Sequence, residues 1–227
     1  MNRENATLFG LCLAAGSVAC IMTVLGRASW LEAVSFVTGA ACVWLTVREN
    51  VWNFPIGLAN VATFSVVFFE ARLFADAGLQ LVYFALGVMG WYLWLFGGEG
   101  RTALAVRRAS TRELCLVGCG VLVATLGLWL VLERIGGSAS FWDALTTSLS
   151  LASQWLLNRK RIESWLGWII VDVIYVPLYV SKELYLTAAL YALFLAMAVL
   201  GWRAWQKSLK RREESLVMVS LSEAAIR

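Results

Sequence analysis

Apolar blocks of about twenty residues recur along almost the whole chain, parted by short polar turns, at about 8–26, 30–47, 51–69, 74–96, 114–132, 141–157, 162–180 and 184–205. A helix that crosses a bilayer needs about 20 such residues, so the pattern predicts an all-α polytopic membrane protein of about eight transmembrane helices. In 227 residues these spans leave no room for a soluble domain of ordinary size. The block at 8–26 shares its apolarity with a signal peptide. Its flank MNREN carries no net charge and further apolar blocks follow at once, so it reads as a helix of its own.

The basic residues behind the net charge of +4 gather in a few turns and in the tail. That distribution reads as membrane topology and not as a nucleic-acid partner. With eight spans, only Arg27, Arg72, Arg134 and Lys182 of the 19 Lys and Arg residues fall on the side opposite the termini. The positive-inside rule then places both termini in the cytoplasm.

Slid against itself by 111 positions, the chain brings Glu32-Ala33 onto Asp143-Ala144, Trp44-Leu45 onto Trp155-Leu156, Gly90-Trp91 onto Gly201-Trp202 and Trp94 onto Trp205. Between these blocks the register slips by one or two residues, pairing Trp52 with Trp165 and Asn60 with Asp172. The expected architecture is one membrane domain holding two three-helix copies, 30–97 and 140–206, joined by a linking helix at 114–132. An extra helix at 7–26 precedes them and a cytoplasmic tail at 207–227 follows, expected at the membrane surface or disordered. An odd connector makes the copies parallel, as in SWEET-type sugar transporters, with a substrate site near the midplane between them.

Polar groups at membrane depth are the candidates for that site. Asp172 stands near the middle of its block, where an aspartate costs roughly 2.5–3.5 kcal/mol on insertion scales and calls for a partner or a cavity. Asn60, Gln80, Gln154 and Asn158 add amides able to donate and accept, the last two one helical turn apart on one face. Trp52, Trp91, Trp165 and Trp168 accompany them and suit stacking on a flat or cationic ring, and Tyr83, Tyr175 and Tyr191 add hydroxyls. Trp30, Trp129 and Trp142 near block ends read as interfacial belt residues. Interhelical glue stands as the alternative role for the amides, and a hydrogen-bonded brace between helices for Asp172.

Several functions are disfavoured on composition. The chain has no histidine, the commonest general base and metal ligand, and its five cysteines lie in apolar blocks without the partners of a zinc site. No cofactor is called for. No GxxxxGK[ST] loop is present, so ATP is not the direct energy source. An intramembrane lipid-modifying enzyme would need a convergent nucleophile and base, which isolated Asp172 and Glu163 do not supply.

The stretches VWNFPIGLANVATFSVVFFEARLFADAGLQLVYFALGVMGWYLW and QWLLNRKRIESWLGWIIVDVIYVPLYVSKELYLTAALYALFLAMAVLGWRAW resemble the two halves of PnuC-type bacterial nicotinamide riboside transporters. The motifs WNFPIG, the Gln80 to Gly90-Trp91-Trp94 run and NRKRIESW carry the resemblance. It implies a fold of three helices, a linking helix and three helices in the bacterial inner membrane. It implies facilitated diffusion of nicotinamide riboside, trapped by a cytosolic kinase that phosphorylates it. A homo-oligomer, with a trimer as the expected form, fits such a carrier. Related vitamins, thiamine or riboflavin, stay open as substrates.

Overall fold

The computed structural model describes residues 10, 16–17, 30–70, 74–134, 140–181 and 185–226. The helix expected at 8–26 lies almost wholly outside them. The described residues form seven α-helices: α1 (Trp30–Val47), α2 (Asn53–Glu70), α3 (Phe74–Phe96), α4 (Thr111–Arg134), α5 (Ser140–Asn158), α6 (Ser164–Ser181) and α7 (Tyr185–Ile226). A single 3-10 turn, Glu99–Arg101, follows α3, and no strand occurs among the described residues. The class is all-α, as the apolar blocks predicted.

Four segments, Gly78–Phe96, Thr111–Arg134, Ser164–Ser181 and Ala188–Ser215, are long and apolar enough to cross a membrane. Other helices turn polar side chains inward. Thr46 on α1, Asn53 on α2, and Thr146, Ser148 and Ser153 on α5 are all buried inside the molecule. α4 is the reverse case: Leu116, Leu122, Val123, Leu126, Leu130 and Val131 are all exposed, as expected of a face turned to acyl chains.

Two boundaries differ from expectation. α4 begins at Thr111 and not near 114, because Ser110 caps it: Ser110 Oγ accepts from the Glu113 amide at 3.2 Å and the Ser110 carbonyl from the Leu114 amide at 2.9 Å. α7 runs for 42 residues, through the basic stretch expected at the surface or disordered. That stretch has no Gly or Pro to stop a helix, and Lys210 reaches Glu214 one turn on at 3.9 Å. At 1.5 Å per residue α7 is about 63 Å long, about twice the bilayer core, so its C-terminal half projects beyond the membrane.

The turn after α1 and the turn after α5 are built alike, bond for bond. Glu49 N donates to Thr46 O at 3.0 Å, and Lys160 N to Leu157 O at 2.9 Å; Asn50 N donates to Leu45 O, and Arg161 N to Leu156 O, both at 2.9 Å. Glu49 (φ 54°) and Lys160 (φ 49°) both occupy the left-handed region, which side chains other than Asn and Asp seldom adopt. Trp94 Nε1 donates to Leu157 O at 3.1 Å while Trp205 Nε1 donates to Thr46 O at 3.2 Å. The Phe54–Trp94 rings meet edge-on at 5.1 Å and 86°, the Trp165–Trp205 rings at 5.4 Å and 86°. Every one of these pairs is separated by 111 positions. The register slip expected between the blocks is absent here: Phe54, not Trp52, occupies the place that Trp165 holds.

The segment between α3 and α4, Gly97 to Ser110, is strapped to the second of these turns. Arg107 N donates to Lys160 O and Ile162 N to Arg107 O, each at 3.1 Å, and Glu163 accepts from the Ala109 amide at 2.8 Å. Glu113 draws in Arg161 at 3.0 Å and Arg159 at 3.8 Å. These contacts place the arginines on one end of the helix bundle.

Candidate functional site

A cavity of about 350 Å³ lies between α1, α2, α3, α5, α6 and α7, and no residue of α4 lines it. Its size falls in the range of small-molecule sites, roughly 300–1,000 Å³. Seven of the residues expected at the site line it: Asn60, Tyr83, Gln154, Trp165, Trp168, Asp172 and Tyr191. Tyr175 is one ring away, its centroid 4.7 Å from that of Tyr191. Asn158 is fully buried behind Gln154, accepting its Nε2–H at 2.9 Å and donating to Leu86 O at 2.8 Å. Asn158 therefore orients a lining residue without lining the cavity.

Three expected residues fall elsewhere. Trp52 sits in the turn before α2, 65% exposed, its amide bonded to Asn50 Oδ1. Trp91 is exposed on α3, and half-buried Gln80, on the same helix, does not line the cavity. Helical period explains Trp91. Trp91 neighbours Gly90, whose face is packed so closely that an added Cβ would collide with Asn158 and Phe54, so the next residue points away.

Sequence reasoning missed Cys42, Thr46, Asn53, Phe54 and Phe194, all in the lining. The first two are small side chains unremarkable in an apolar block. Asn53 and Phe54 stood in the WNFPIG motif, and the offset of 111 equates Phe54 with Trp165. Pairs so related recur around the cavity wall: Val43 and Gln154, Thr46 and Leu157, Gly57 and Trp168, Val61 and Asp172, Tyr83 and Phe194, and Gly87 and Ala198 all line it.

The polar lining has one chemical character. Asn53 Nδ2 donates to Thr46 Oγ1 at 2.8 Å, Asn60 Nδ2 to Thr38 Oγ1 at 2.6 Å, and Gln154 Nε2 to Asn158 Oδ1 at 2.9 Å. Each amide thus commits an N–H to the protein, which fixes its plane, and among the described residues no protein donor meets its carbonyl oxygen. Among the described residues Asn53 Oδ1 is buried and has no partner. Asp172 is only 3% exposed, and among the described residues no hydrogen-bond donor or cation pairs with its carboxyl group. Among the described residues no Lys or Arg lines the cavity. Three oriented carbonyls, one carboxyl and the faces of Phe54, Trp165, Trp168 and Phe194 make a site rich in acceptors and aromatic surface.

A family model described as "Nicotinamide mononucleotide transporter" matches residues 29–207. The nicotinamide riboside transporter PnuC of Escherichia coli strain K12 is 30% identical over 210 residues, covering 81% of this chain and 88% of that protein. The riboflavin/roseoflavin transporter RibM of Streptomyces davaonensis is 26% identical over 181 residues, covering 78% and 84%. The crystal structure of the vitamin B3 transporter PnuC superposes with a TM-score of 0.72 at 23% identity, covering 93% of each chain, a likeness of fold.

Proposed function

Because the chain belongs to the nicotinamide mononucleotide transporter family, we propose that it carries nicotinamide riboside across the bacterial inner membrane. The family is one of transporters, which sets aside the intramembrane enzyme. The observation that carries the substrate assignment is Asp172, a buried carboxyl that no described residue pairs with, in an aromatic cavity. An unpaired carboxylate in a cavity lined mainly by apolar side chains calls for a cation, and aromatic faces reinforce the call when the cation is a ring. Nicotinamide riboside is such a ring, and its carboxamide and ribose bring the N–H and O–H donors that free carbonyls at Asn53, Asn60 and Gln154 would accept. The mononucleotide fits less well, since its phosphate would enter a cavity lined by no Lys or Arg.

The transport cycle we infer is facilitated diffusion by alternating access, with a cytosolic kinase trapping the product. Two three-helix copies, 30–97 and 140–206, rock about the cavity while the linking helix stays outside it. The reading is supported by the bonds and lining pairs separated by 111 positions and by α4's absence from the wall. Eight spans with both termini cytoplasmic are supported by the basic residues gathered at one end, and a homo-oligomer, a trimer, completes the proposed assembly. Titration calorimetry on purified protein against nicotinamide riboside, its mononucleotide, thiamine and riboflavin tests the substrate. Tightest binding of the riboside supports the assignment, and preference for riboflavin, the substrate in RibM's name, overturns it. Uptake into proteoliposomes without ATP or an ion gradient should equilibrate labelled riboside; strict dependence on a gradient rejects the passive cycle.

A further inference from the structure

Below the cavity, on the arginine-rich end, the two halves of the molecule are joined by a compact set of reciprocal contacts. Thr46 and Leu157 line the cavity, and their carbonyls receive the indole N–H groups of Trp205 and Trp94 from the opposite halves. Those two rings lie 5.9 Å apart beneath Phe54 and Trp165. Three residues past Thr46 and Leu157 stand Glu49 and Lys160, and their side chains meet at 3.0 Å. Lys160 Nζ also lies 4.4 Å over the ring of Trp94, and its side chain is only 7% exposed, against 26% for Glu49. Both residues hold left-handed turns, a strained backbone at two matching places.

We propose that the Glu49–Lys160 pair is the latch of a gate that closes the cavity on the arginine-rich face. The latch rests on the proposed rocking of two halves. Its physics is differential. With the halves together the ammonium is out of water and depends on Glu49 and the Trp94 face; with the halves apart both charges are hydrated and need no partner. Removing Glu49's charge therefore penalises only the closed arrangement, and the population moves toward the open one. Removing the charge of Lys160 penalises it less, because Glu49 already reaches water. Exchanging the two charges restores the pair across the same gap.

Cys42, in the cavity wall, serves as the reporter once Cys12, Cys20, Cys115 and Cys119 are replaced by serine. Its alkylation by a membrane-impermeant maleimide is followed in inside-out and right-side-out vesicles. Glu49→Gln should speed labelling from the arginine-rich face about tenfold or more, Lys160→Met should speed it less, and Glu49→Lys with Lys160→Glu should return it to within about twofold of the parent. Unchanged labelling in a monodisperse Glu49→Gln protein, faster labelling only from the opposite face, or failure of the exchange to restore protection overturns the latch. If Glu49→Gln does not fold, Lys160→Met and the exchange decide the question by the same rates. The assay needs no substrate, so its failure is separate from failure of nicotinamide riboside to bind, which overturns the substrate assignment alone.

Discussion

Replacing Asp172 by asparagine isolates the charge from the shape of the site, since the two side chains are nearly isosteric. Two unit charges about 4 Å apart interact by roughly 4 kcal/mol at an effective dielectric of about 20. Taking about half of that as offset by desolvation of the ligand leaves about 2 kcal/mol, or about a thirtyfold rise in Kd for nicotinamide riboside. The control is the dihydro form of the same nucleoside, which keeps ring, carboxamide and ribose but has no positive charge. Its affinity should change by less than about threefold in Asp172→Asn, because an amide oxygen still accepts. Without ligand the variant should melt at the same temperature as the parent or higher, since it no longer buries a carboxyl group that lacks a partner. Calorimetric titrations of both ligands and a melting curve supply the three readings. Equal losses for the charged and neutral nucleosides, or a fall in melting temperature, would show that Asp172 braces the fold and does not face the cation.

Four further substitutions extend the test to the packing and the lining. Trp94→Phe and Trp205→Phe each keep a ring but delete one indole donor to a buried carbonyl, so each should cost about 1 kcal/mol in stability, and by similar amounts; unequal costs would show that the two contacts are not equivalent. Gly201→Ala places a Cβ about 2.5 Å from the Trp165 ring, which is itself held by Trp205, so a loss of about 1–3 kcal/mol is expected in denaturation assays and an unchanged melt refutes the packing argument. Trp52→Ala removes an exposed ring outside the cavity and should leave Kd within about twofold; a large loss would return Trp52 to the site.

What could be read from the sequence was whatever depends on local polarity. Asp172, Asn60 and Gln154 stood out because a bilayer makes each of them expensive, and all three line the cavity. Trp52, Trp91 and Gln80 misled because a tryptophan or an amide in an apolar block has the same appearance whether it faces a cavity, a neighbour or lipid. Deciding between those faces needs the rotation of each helix, and the helices' own apolarity hardly varies around their circumference. The slip proposed in the repeat came from the same source: tryptophans were matched to tryptophans, whereas the packing equates Phe54 with Trp165. The start of α4 was legible in Ser110-Thr111-Arg112-Glu113, a capping-box pattern, once polarity was set aside in favour of the orphan amides that a helix start must satisfy.

The offset of 111 also separates two tasks within the cavity. Where the halves touch each other, equivalent positions do equivalent things: Trp94 and Trp205 donate to equivalent carbonyls, and Glu49 meets Lys160. Where they line the cavity, equivalent positions diverge: Val61 is the counterpart of Asp172, Gly57 of Trp168, Val43 of Gln154 and Tyr83 of Phe194. A floor that must open and close gains from reciprocity, because matching contacts on both halves release together. A wall that must hold an unsymmetrical ligand cannot be reciprocal. A second carboxylate at position 61 would set two like charges across a cavity lined by no Lys or Arg, and each would raise the cost of ionising the other. One carboxyl, with an apolar residue at the equivalent position, orients a ring that bears its charge at one end. On the two-copy reading, duplication accounts for the shape of the pathway, and substitution on one side of the pseudo-axis accounts for what it recognises.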